Sequence, residues 1–125
     1  MKTFFPILLA VISCHVAAHS HGPQRFGGKN NPDQAVTFTG LKNVPITVGN
    51  LNDFPQQYLI TVNDLPLMET SFIAKNNSQI VHVPVRLKTI GKVETLKICS
   101  TSIATQESAF STRICTRAKL LWVKP

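Results

Sequence analysis

The stretches "VETLKICSTSI" (residues 93–103) and "RICTRAKLLWV" (residues 113–123) hold two of the chain's three cysteines, and their alternation decides how the rest is read. In the first, Leu96 and Ile98 share one parity, so Thr95, Lys97 and Cys99 point to the opposite face of a strand. In the second, Ile114, Ala118, Leu120 and Trp122 share one parity, which sets Cys115, Arg117 and Lys119 on the other side. Antiparallel pairing about the "TQES" tip, with Cys99 opposite Cys115, places Leu96 opposite Ala118 and Ile98 opposite Thr116. One register therefore satisfies both the cysteines and a core face, and it predicts a Cys99–Cys115 disulfide. A zinc site would need more soft ligands at close spacing, and a catalytic cysteine would need a neighbouring base.

The beginning of the chain supports an oxidising compartment. "MKTFFPILLAVISCHVAAHS" carries one charge, Lys2, then an apolar run from Phe4 to Ile12 and small residues at Ala17 and Ala18. That layout predicts a secretory signal peptide over residues 1–18. The alternative is lipidation at Cys14, because "VISC" is similar to a bacterial lipobox. Soluble export predicts a periplasmic or secreted protein, and the lipobox predicts a membrane-anchored lipoprotein. Without residues 1–18, 12 Lys and Arg face 6 Asp and Glu.

Residues 19–33, "HSHGPQRFGGKNNPD", are rich in glycine, asparagine and proline without periodicity, which predicts a flexible N-terminal arm. Residues 34–125 predict one β-sandwich domain. "QAVTFTG", "VPITVG", "QYLITVN", "METSFIA", "QIVHVPVRLKTI" and the two opening stretches are short runs rich in Val, Ile, Thr and aromatic residues. "LKN", "GNLNDFP", "NDLP", "KNNS" and "IGK" separate them as turn signals. No segment shows a capped helix with a 3.6-residue apolar period. The fold class expected is all-β, an antiparallel immunoglobulin-like sandwich of about seven strands. Val81, Val83, Val85 and Leu87 form an inward set, and Pro84, which cannot donate to a ladder, places that strand at an edge or bulge.

The alternating patterns of "QYLITVNDLPL", "IVHVPVRLKTI" and the C-terminal hairpin, behind an export signal, resemble the immunoglobulin-like domains of bacterial periplasmic and cell-surface proteins. That group includes pilus chaperones and accessory factors of secretion or conjugation machines. The resemblance implies a binding or assembly role. A pilus chaperone normally has two such domains and this chain has room for one, so subunit capping does not carry over.

The proposed register sets Lys97 opposite Arg117 and Thr95 opposite Lys119 on one outward face. Like charges side by side are unfavourable unless an anion meets them. Lys97, Arg117 and Lys119, widened by Arg86 and Lys88, are therefore the expected partner-binding residues. The partner expected is an envelope or surface protein of acidic character. Nucleic acid is not expected, because the chain is exported and no aromatics interleave the cations. A membrane enters only through lipidation at Cys14.

A second reading concerns metal. Cleavage after Ala18 would expose His19-Ser20-His21, in which the amine, two amides and the His21 imidazole can enclose copper in a square plane, with His19 as a further ligand. No cofactor is expected on the binding reading, and copper is the alternative. Asp53, Asp64, Glu69, Glu94 and Glu107 are scattered without a spacing that suits acid/base catalysis. No nucleophile elbow or phosphate loop is present, so no enzyme is expected. Asn76, in "NNS", is a glycosylation acceptor only in a eukaryotic host.

Overall fold

The computed structural model describes residues 19–28, 35–105 and 111–125. The signal segment, Cys14, the rest of the expected arm and Glu107 lie outside them. The described residues form nine strands and no α-helix. In chain order these are β1 (His19–Gly22), β2 (Arg25–Gly27), β3 (Val36–Thr37), β4 (Leu41–Asn50), β5 (Tyr58–Val62), β6 (Leu65–Glu69), β7 (Ser78–Arg86), β8 (Val93–Ser102) and β9 (Arg113–Trp122). The smaller sheet runs β1-β4-β7 and the larger β2-β9-β8-β5-β6, with β3 also on β9. All pairings are antiparallel except those of β2 and β3, which run parallel to β9 and make the larger sheet mixed.

The core lies between the sheets. Val44, Ile46 and Val48 of β4 and Val81, Val83, Val85 and Leu87 of β7 and its end meet Tyr58, Ile60, Leu96, Ile98, Ala118 and Leu120 of the larger sheet. Each such aliphatic side chain, fully buried, contributes about 1.5–3 kcal/mol. The expected inward set of β7 is in place, and β7 is an edge strand. Pro84 pairs with Asn43, and Pro45 with His82. The Asn50 amide donates toward β7's side, to Asn77. The pairs containing the two prolines therefore direct their backbone nitrogens away from the shared ladder, and Pro84 blunts the free edge of β7.

The hairpin register is the one read from parity: Cys99 faces Cys115, Leu96 faces Ala118, Ile98 faces Thr116, Lys97 faces Arg117 and Thr95 faces Lys119. The cysteines are disulfide-bonded. Two turn expectations shift. "LKN" is the first part of β4 rather than a turn, and the chain bends just before it, where Gly40 has φ +84°. "NDLP" contributes only Asn63 and Asp64 to the β5–β6 hairpin tip, both at positive φ, while Leu65 and Pro66 already belong to β6.

The expected flexible arm requires correction over its described part. Residues 19–22 form β1 on the edge of β4, and residues 25–27 form β2 on β9. Composition misled because the inward residues here are mostly polar. His19 and His21 face inward onto hydroxyls, and Phe26 supplies the one large apolar anchor. Gly27, at φ +78°, lies where any Cβ would stand 2.2 Å from the Lys119 carbonyl oxygen. This glycine permits close strand approach and is not linker composition. With β1 and β2 added, the seven anticipated strands become nine.

Candidate functional site

The outward face of the larger sheet carries a row of three cations across three strands. Arg25 of β2 lies beside Arg117 of β9, and Arg117 lies beside Lys97 of β8. Adjacent strands stand about 4.8 Å apart, so these side chains share one local field. Lys119 continues the positive face two residues along β9, on the same parity as Arg117. A shallow hollow of about 370 Å³ lies here, lined in part by Gln24, Arg25, Thr95, Lys97, Cys115 and Arg117. The disulfide sits on the same face and fastens β8 to β9 through this row.

One carboxylate enters this face. Asp64, at the β5–β6 tip, pairs with Lys97 Nζ at 3.0 Å and with the Arg113 guanidinium. Those two partners, Arg113 first, hold the Asp64 carboxyl below the usual carboxylate range. The pairs are exposed and contribute little to stability. Among the described residues no carboxylate pairs with Arg25, Arg117 or Lys119.

The structure thus brings together Lys97, Arg117 and Lys119, and it separates Arg86 and Lys88 from them. Arg86 ends β7 in the smaller sheet, and both Arg86 and Lys88 line a different cleft. Sequence parity assigns a side chain to a face but does not say which sheet its strand joins. Arg25 was missed because it lay in the segment read as an arm. The available signal was the alternation of "RFG", with Arg25 out and Phe26 in.

Behind this face, between the sheets, lies a buried polar cluster. His19 and His21 take the inward parity of β1 and all four of their ring nitrogens meet hydroxyls. Donor counting assigns the protons. Thr116 Oγ1 donates to the Pro23 carbonyl, so it accepts from His21 Nε2–H at 2.7 Å. His21 Nδ1 is then an acceptor and takes the Ser100 hydroxyl proton at 2.6 Å. Ser100 Oγ, its proton used, accepts from His19 Nε2–H at 2.8 Å. His19 Nδ1 lies 3.0 Å from the Thr112 hydroxyl, which donates to Ser102 Oγ at 3.3 Å. Two neutral imidazoles and the Thr116 and Ser100 hydroxyls therefore form one ordered chain.

Burial holds both imidazoles neutral and lowers each pKa to about 4. For His19 the nearby His21 acts in the same direction, and the Thr112 backbone opposes it. Tyr58 packs its ring 4.5 Å from that of His19. The Tyr58 hydroxyl has no hydrogen-bond partner among the described residues, and burial pushes it up to about 12.

This arrangement and the copper plane expected of His19-Ser20-His21 are mutually exclusive conformations. The plane needs the His21 ring folded onto its own amides, whereas β1 commits that ring to Ser100 and Thr116. Among the described residues, no group of three or more His, Cys, Asp or Glu side chains converges to hold a metal. The donor set of the folded strand does not fit that copper site.

No protein-family model matches the chain, and no curated protein is significantly similar to it. What fold and site define together is a two-sheet, disulfide-fastened β protein with a cationic face on its larger sheet.

Proposed function

We propose that this chain is an exported, immunoglobulin-like sandwich of the cell envelope that acts by binding, without catalysis, and that its basic face docks an acidic partner protein. The row Arg25–Arg117–Lys97 carries this reading. Three neighbouring cations raise the energy of the isolated sheet, and Asp64 offsets only the Lys97 side. An acidic surface laid across β2, β9 and β8 would relieve that repulsion and gain from the summed field. The free edge of β7 offers a second element. Its outward N–H groups at Ile80 and His82 precede Pro84, which restricts strand addition to the first half of β7.

The test is a quantitative pull-down from envelope extracts at two salt concentrations. R117E/K119E should weaken capture of the bound acidic protein by about tenfold or more, since each rim charge lost costs on the order of 1 kcal/mol. R86E/K88E, at the end of β7 and in the bend after it, should leave that capture unchanged. Equal capture by wild type and R117E/K119E would remove the basic face from the mechanism.

A further inference from the structure

A second concave site lies at the other end of the sheets from His19. The start of β4, the end of β7, the β5–β6 tip and the start of β6 bound an open cleft of about 950 Å³. Its wall is apolar, with Leu41, Val62, Leu65, Leu67 and Leu96 lining it. Three of these are large hydrophobic side chains left in solvent: Leu65 is 71 % exposed, Leu41 53 % and Leu67 45 %. All three line this one cleft, so their exposed apolar surface is gathered in one concave place.

The cleft is also cationic. Lys42, Arg86 and Lys88 line it. Lys42 occupies the inward parity of β4, the series continued by Val44, Ile46 and Val48, so a lysine stands where the core pattern calls for an aliphatic residue. None of the three has a carboxylate partner among the described residues. Glu94, near the start of β8, accepts from the backbone N–H groups of Lys88 and Thr89 at 2.8 and 3.0 Å. Pro66 on β6 and Pro84 on β7, both lining the cleft, disfavour its closure by an added strand.

An apolar wall with unpaired cations in the same lining complements a molecule that is apolar along its length and anionic at one end. We infer that the cleft binds a single-chain anionic amphiphile of the fatty-acid class. The acyl chain lies along Val62, Leu65 and Leu96, and the carboxylate lies among Lys42, Arg86 and Lys88. The cleft volume is in the range of ligand sites. This site adjoins the hollow of the basic face, sharing Asn63 and Leu96 with it, but its cations are different residues.

The experiment titrates the purified oxidised protein with laurate, kept below micelle formation, by displacement of a dansyl-labelled undecanoate. Dodecanol and dodecylamine serve as neutral and cationic counterparts. Saturable laurate binding should exceed that of either counterpart by at least tenfold. K42E/R86E should weaken laurate by tenfold or more, and Leu65→Asp should weaken the labelled chain as strongly. R117E/K119E should bind laurate as wild type does, which separates this site from the docking face. Both cleft substitutions fall on exposed or rim positions, and circular dichroism confirms that each variant is folded. Equal binding of laurate and dodecanol would overturn the proposal. So would the absence of saturable binding, or a dimer in sedimentation that Leu65→Asp dissociates, because a second copy would then be the occupant.

Discussion

Acidification from pH 7 toward pH 4.5 should destabilise this protein steeply, with a dependence approaching two protons and lost when both inward histidines are replaced. His19 and His21 titrate near 6.5 in an unfolded chain and near 4 in the folded one. Between those values the unfolded state binds protons that the native state does not. Stability contributed by the neutral pair is thus fully present above about pH 6.5 and drains as pH falls toward 4. Each proton taken up only on unfolding adds a slope of about 1.4 kcal/mol per pH unit, so the pair approaches about twice that at most. The structural cause is the ordered chain. A second proton on His21 would aim two N–H donors at Ser100 and leave the Ser100 proton facing a charged ring.

Carboxylates act in a different window. Asp64, held low by Arg113 and Lys97, gives up its contribution only below the ordinary carboxylate range. Urea unfolding across pH 4.5–7.5 therefore isolates the histidines. H19Q/H21Q, whose amides can still meet the hydroxyls, should flatten the profile above pH 4.5. Imidazole resonances followed by NMR in the wild type provide a check that needs no variant, and they should hold their neutral shifts down to about pH 5. Ordinary titration near 6.5, or a flat wild-type profile, would show that β1 is not seated in the core.

That seat was the part of the molecule least visible in the sequence. Strand signals come from apolar alternation, and "HSHG" has none, because its inward residues are imidazoles whose desolvation is compensated by Ser100, Thr112 and Thr116. Ser100 and Thr116 share the parity of Ile98 and Ala118, but nothing local says what they face, and Thr112 precedes β9. β7 was the opposite case. Val81, Val83, Val85 and Leu87 fixed its buried face, and Pro84 narrowed its place to an edge or a bulge, of which the edge is observed. The cations show the boundary between the two cases. Arg86 and Lys88 were outward as expected but belong with the cleft, since face is a local property and sheet membership is not. The copper plane read from the tripeptide and the seating of β1 call for different placements of the His21 ring.

The disulfide gives the second large effect, and it separates stability from register. Cys99 and Cys115 are 16 residues apart, and opening a loop of that size should lower stability by about 3 kcal/mol on the chain-entropy model. Guanidinium unfolding with and without reductant, and with C99A/C115A as the irreversible counterpart, should show a shift of that size. A loss below about 1 kcal/mol would mean that the hairpin is closed by its other contacts even in the unfolded chain. The basic row should nevertheless survive reduction in the molecules that remain folded. Leu96 and Ile98 of β8 are buried on the same face as Thr116 and Ala118 of β9, and a slip of one residue would turn each strand's buried set outward. The core face thus fixes Lys97 beside Arg117 without help from the sulfurs. Reduced protein held below its unfolding midpoint should bind its acidic partner with unchanged affinity. If binding fell with reduction while circular dichroism stayed native, the covalent link would be the element that aligns the row.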